Sequence, residues 1–268
     1  MGDPNDSFRL EDRTAILAGP CTATVQAIAT KLAQMGCDVA IIHHEVDRAR
    51  RFCAQLMDAR EVQDRFGRAV AIEAAVTTAA QAQDAISRCA EAFGGLDIYV
   101  DAGFGTFPKA FREAGAIDSL DEAFATNLRT PLLMTHGLMR FLENRKRGRI
   151  IYLLHDVARL GIQGHSLLAA TRMGLIQFVK ALARESADKG LTANCVAMGV
   201  TEDFLLASQA PAPASIQAAF AELAKSFPGA PAMDSERIAS LVAFLASPLS
   251  SGITGQTIAA SQGLSYLG

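Results

Sequence analysis

The segment TAILAGPCTATVQAIATKLAQMGCDVAII, Thr14 to Ile42, decides the fold. TAILAG, Thr14 to Gly19, is a short apolar run that ends in Gly, as a buried parallel strand does. Val25, Ile28, Ala29 and Leu32 follow at i, i+3, i+4 and i+7, the apolar face of one helix. Gly36 stops that helix, and Val39 to Ile42 is a second strand. A strand, a Gly turn, a helix and another buried strand make a crossover unit, which joins parallel neighbours in one sheet.

Outward from this unit the alternation continues. Val46 to Phe66 is helical and charged on one face, Val70 to Ala75 is a third strand, and Ala80 to Phe93 a third helix. Leu96 to Val100 is a fourth strand, followed by a long helix from Leu120 to Leu142. Arg149 to Leu154 and Leu191 to Ala197 are further strands, separated by a long helix from Leu167 to Lys189. A last helix lies near Ser235 to Ala246. The fold class is therefore α/β, a parallel sheet with helices on both faces. No linker divides residues 1–268, so a single domain is expected, with an N-terminal tail over 1–12. SQAPAPAS, Ser208 to Ser215, marks a lid-like insertion over about 200–232.

Composition bounds the function. Lys plus Arg is 25 and Asp plus Glu is 28, a formal charge of −3, and half of the 268 residues are hydrophobic. Disorder needs the opposite balance. Nucleic acid is not expected as a partner, because nothing here neutralises many phosphates at once. The start, MGDPNDSFRLEDR, is acidic where a secretory signal is basic, and no apolar run reaches the roughly 18 residues of a membrane span. A cytoplasmic protein without a membrane partner is expected. Cys21, Cys37, Cys53, Cys89 and Cys195 show no CxxC spacing and read as small buried hydrophobes. No metal site is expected: His43 and His44 read as a strand-end pair, and spacing suggests no third ligand.

The ordered segments AILAG–helix–GCDVAII, FGGLDIYVDAG, ATNLRTPLL, GRIIYLL, ALARESADKGLTANCVAMG and SGITGQTIAASQGLSYLG resemble the short-chain dehydrogenase/reductase family over nearly the whole chain. The resemblance implies a doubly wound Rossmann-type domain with about seven parallel strands. It also implies a dinucleotide across the strand ends and oligomers built on the two long helices. The family's site uses an Asn, a Ser, a Tyr and a Lys four residues after the Tyr. Aligned on GRIIYLL, those positions fall on Asn127, His155, Leu168 and Arg172, so only the Asn matches. A Leu moves no proton. At the cofactor positions the chain offers Gly19, Ala23 and Val25 in the Gly-rich turn, His43 after the second strand, and Ala75 where the family has an Asp near the adenine.

Asp97, Asn127, Asn194, Gly148 and Gly199 stand at the family's structural positions, and the apolar strands are intact. Losses therefore concentrate where ligands would touch. The resemblance implies a catalytically silent subunit, with no cofactor in this chain, NAD or NADP being held by an active paralogous partner. A hetero-oligomer, a heterotetramer in the simplest case, is expected. The degenerate subunit of the two-subunit hydroxyacyl-CoA dehydrogenase of anaerobic toluene degradation is a similar arrangement. One alternative is an atypical active NAD(P)-dependent reductase using His155, His165 or Arg172. His165 lies seven residues before Arg172, the wider spacing of the family's divergent enoyl reductases. Arg172 is always charged and could instead pair with an acidic neighbour such as Asp156. A second alternative is a stand-alone, non-enzymatic protein that binds a small ligand or regulates.

Overall fold

The computed structural model describes residues 8–60, 66–103, 105, 110–161, 164–199, 201 and 233–263. Seven parallel strands form one sheet: β1 (Thr14–Ala18), β2 (Asp38–His43), β3 (Ala69–Glu73), β4 (Ile98–Asp101), β5 (Arg149–His155), β6 (Thr192–Met198) and β7 (Thr257–Ala260). Their order across the sheet is β3-β2-β1-β4-β5-β6-β7. The direction of winding reverses between β1 and β4, so the crevice where ligands bind in such sheets opens at the carboxyl ends of these two strands.

The helices are α1 (Ala23–Gln34), α2 (Asp47–Arg60), α3 (Ala79–Phe93), α4 (Leu120–Phe124), α5 (Thr130–Asn144), α6 (Val157–Leu160), α7 (Ser166–Glu185) and α8 (Ser235–Ala246). One core joins α1 and α8 to one face of the sheet through Leu17, Val25, Ile28, Val39 and Val242. The other joins α3, α5 and α7 to the opposite face through Ile16, Ile86, Leu138, Tyr152 and Val179. β5 and β6 are buried along their whole length, which explains their unbroken apolar runs.

The expected helix over 120–142 is two helices joined by a wide turn at Ala125–Arg129. This local widening places Asn127 inside the fold, fully buried. The expected helix over 167–189 is α7 followed by a short tight turn at Ala187–Lys189. β7 is a strand that periodicity alone did not reveal, because TIAA is short and half-exposed. The lid-like insertion lies outside the described residues except for Thr201, as does Tyr266.

The lower edge of the sheet explains the structural residues. Asp97 is fully buried and accepts from Thr14 N at 3.1 Å, Arg145 at 3.3 Å and Arg147 at 2.8 Å. Arg145 and Arg147, just after α5, thus clasp one buried carboxylate. Asn194 ties β6 to the segment before β7, donating to Ile253 O at 2.8 Å and accepting from Gln256 N at 3.1 Å. Among the described residues one helix, Ser166–Glu185, is long and apolar enough to cross a membrane, and half of its apolar window is buried inside the fold.

Candidate active site

A cleft of about 640 Å³ opens at the carboxyl ends of β1 to β4. Its walls include Gly19, Ile42, His43, Ala75, Asp101 and Gly103. At its root Gly19 has φ +144°, and a Cβ there would lie 2.6 Å from the backbone carbon of Ala102. Only Gly lets β1 turn this tightly against the end of β4. Thr22 then caps α1, its hydroxyl accepting from Val25 N at 3.4 Å. The first turn of α1 carries no acidic residue, so no carboxylate there offsets the positive end of the helix dipole.

The expectation that Val25 marks a lost cofactor contact is corrected by the geometry of this turn. Val25 does not obstruct the cleft: its side chain is 1% exposed and packs into the core beneath α1. Ala23 is exposed at the first position of the helix and adds only a methyl group. His43 and Ala75 line the cleft, with His43 at its edge and Ala75 leaving open floor. The cleft thus retains the shape, the Gly turn and the helix terminus that a dinucleotide's adenosine and pyrophosphate halves require, and the residues present fit that group.

Two of the four aligned site positions, Asn127 and Arg172, meet beside the end of β4. Asn127 receives Gly105 N on its Oδ1 at 2.9 Å and donates from Nδ2 to Gly105 O at 3.0 Å. His155 ends β5, paired in register with Met198, and is 3% exposed. Leu168 is 1% exposed in the first turn of α7, and His165, also 1% exposed, stands at the position just before that helix. The Arg172 guanidinium donates to Gly103 O and to Asn127 Oδ1, the latter at 3.3 Å, and pairs with Asp101 at 3.6 Å. Asp156 is not its partner; that carboxylate pairs with Arg159 at 3.3 Å.

Asp101 is the site residue that motif reading passed over. It is 2% exposed and its Oδ2 accepts from Tyr99 OH at 3.0 Å. Burial pushes its carboxyl up to about 6, against the pull of Arg172 and Tyr99. Burial also lowers the pKa of Arg172, against the pull of Asp101, and holds the Tyr99 phenol well above its usual range. The signal in the sequence was an acidic residue at the end of an otherwise apolar strand, IYVD. An Asp in that setting needs a buried cation, and Arg172 was the unplaced one.

Comparison with known proteins fixes the family. The family model described as Enoyl-(Acyl carrier protein) reductase matches residues 25–265. The chain is 29% identical over 257 residues to the 3-oxoacyl-[acyl-carrier-protein] reductase FabG of Vibrio cholerae, covering 96% of this chain and 99% of that protein. It is 34% identical over 191 residues to the Salmonella typhimurium protein of the same name, covering 70% and 75%. A dehydrogenase/reductase from Sinorhizobium meliloti superposes with a TM-score of 0.81 at 30% identity, covering 96% and 97% of the two chains. These likenesses overturn the expectation of a catalytically silent subunit that leaves the cofactor to a partner. The relatives that span the chain from end to end are named as reductases, and the cofactor cleft of this chain is open rather than filled. The chain belongs to the short-chain dehydrogenase/reductase family.

Proposed function

We propose that the chain is itself an NAD(P)-dependent reductase that acts on the carbonyl of an acyl thioester, with an atypical proton donor. The observation that carries this reading is the open cleft at the β1/β4 switch point in a chain aligned over 96% of its length with a 3-oxoacyl-thioester reductase. Five free, buried cysteines suit work in the reducing cytoplasm.

Gly19, Thr22 and Ala23 would hold the pyrophosphate at the N-terminus of α1. His43 would stand by the adenosine ribose, Ala75 by the adenine, and Asn127 with Arg172 at the far end of the cleft. When bound, the dinucleotide supplies the hydride. The chain must supply the proton that the reduced carbonyl oxygen takes up. Leu168 has none to give, and a guanidinium does not release one. His155 and His165, buried at the end of β5 and just before α7, are the imidazoles at hand. Arg172 keeps a fixed positive charge beside Asn127 and stabilises negative charge as it develops.

The test is NAD(P)H oxidation by the purified chain with a 3-oxoacyl thioester, alongside His155→Ala, His165→Ala and Arg172→Met. Turnover abolished by one of the His substitutions, with dinucleotide binding retained, is the expected result. Absence of saturable binding of either dinucleotide overturns the proposal.

Pairing of subunits through α5 and α7 belongs to the same proposal. A groove of about 1110 Å³ runs between these helices, walled by Phe124, Leu128, Leu132, Leu133, Met139 and Phe178. Asp121, Glu122, Arg129 and Glu185 also line it. A second subunit of the same fold would cover it.

A further inference from the structure

We propose that His43, His44 and Glu45 form a binding site for a divalent transition ion of the zinc class, at the carboxyl end of β2. One donor atom from each of the three side chains lies within 4.8 Å of the others. The two imidazole rings already stand side by side, with centroids 4.1 Å apart. A tetrahedral zinc ion holds its ligands at about 2.0 to 2.2 Å, and so about 3.3 Å from one another. Rotation of side chains closes that gap, since His44 and Glu45 are exposed and free to turn about their own bonds.

The local backbone fixes the His43 ring. Its Nδ1 lies 3.3 Å from the Glu45 carbonyl oxygen. The same Nδ1 accepts from Glu45 N at 3.1 Å, so the Glu45 backbone holds the ring in place at the strand end.

The neighbouring charges settle which carboxylate is available. Asp47 and Glu73 line the same cavity of about 560 Å³. Arg50 holds both of them, Asp47 at 3.2 Å and Glu73 at 2.9 Å. Cys21 also lines the cavity, but burial raises its pKa and keeps it protonated. Two imidazoles and one carboxylate select a borderline ion over magnesium or calcium, which need more oxygen ligands. Three protein ligands leave a fourth position facing the cavity, open to water or to an anionic group. His43 and His44 also line the proposed dinucleotide cleft, so the site is tested on the dinucleotide-free chain, by metal uptake and not by turnover.

The test uses untagged, chelator-treated protein titrated with zinc by calorimetry and with cobalt by visible absorption. One ion per chain is expected, with the intense absorption of tetrahedral cobalt. His44→Ala and Glu45→Gln should each weaken binding at least tenfold, while His136→Ala, at an exposed histidine on α5, should not. His44 and Glu45 are surface residues, so circular dichroism should match the parent. Binding unchanged in both His44→Ala and Glu45→Gln, or no saturable uptake at micromolar zinc, overturns the site.

Discussion

Arg172 on α7 pairs with Asp101 at the end of β4 at 3.6 Å, and both side chains are almost wholly buried. Two unpaired charges here would each be costly, and each is the other's compensation. Arg172→Met should destabilise the fold by about 3 to 5 kcal/mol, because it strands the Asp101 carboxylate. Asp101→Asn should cost a comparable amount by stranding the guanidinium. The double variant should recover part of that loss. Denaturant melts of the four proteins give the coupling, and additive losses would mean that the pair is not an energetic unit.

The pH dependence follows from the direction in which Asp101 is shifted. Its carboxyl is raised in the fold from 3.8 to about 6, so the folded state binds the extra proton more tightly than the unfolded chain does. Its contribution to stability is full below about pH 4 and is lost as pH rises through about 6. The stability of the parent minus that of Asp101→Asn should therefore fall between pH 4 and 6 and stay flat above 7. A difference that rises with pH in this window would show that Arg172 outweighs burial.

The parallel sheet was legible because strand and helix patterns alternate without a break from Thr14 to Ala197. The partners of individual charges were not. Arg145 and Arg147 resemble a solvated helix end until the sheet places Asp97 beneath them. Arg172 has several acidic candidates along the chain, and only the packing of α7 over β4 selects Asp101. Val25 misled for a related reason. A residue type at a motif position does not say which way its side chain points, and α1 turns this one into the core. Motif letters overstated the loss of the cofactor site because they carry no direction.

Ala75 lines the cleft where the family places an Asp beside the adenine. Ala75→Asp would restore an acceptor for an adenine N–H. A hydrogen bond of this kind contributes about 1 kcal/mol, so the dinucleotide dissociation constant should fall roughly fivefold. Fluorescence titration of the reduced cofactor measures it. An unchanged constant would mean that the adenine does not sit against this strand end.

The groove between α5 and α7 yields the last prediction. α7 buries Leu168, Leu175, Ile176, Val179 and Leu182 against the sheet, while Gln177 is exposed and Phe178 is half-buried on the groove wall. The Phe178 ring also meets Tyr152 edge-on, with centroids 6.5 Å apart. A charge at this position would face a partner's apolar surface if the groove is an interface, and water if it is not. Phe178→Asp should therefore convert the oligomer to monomer in size-exclusion chromatography with light scattering. Gln177→Asp should have a smaller effect, because its side chain already points away from the groove wall. Loss of the Tyr152 contact alone could weaken the fold, so Phe178→Leu serves as the control that keeps an apolar wall. Oligomers that survive Phe178→Asp intact, or that dissociate equally in Phe178→Leu, would rule out pairing through this groove.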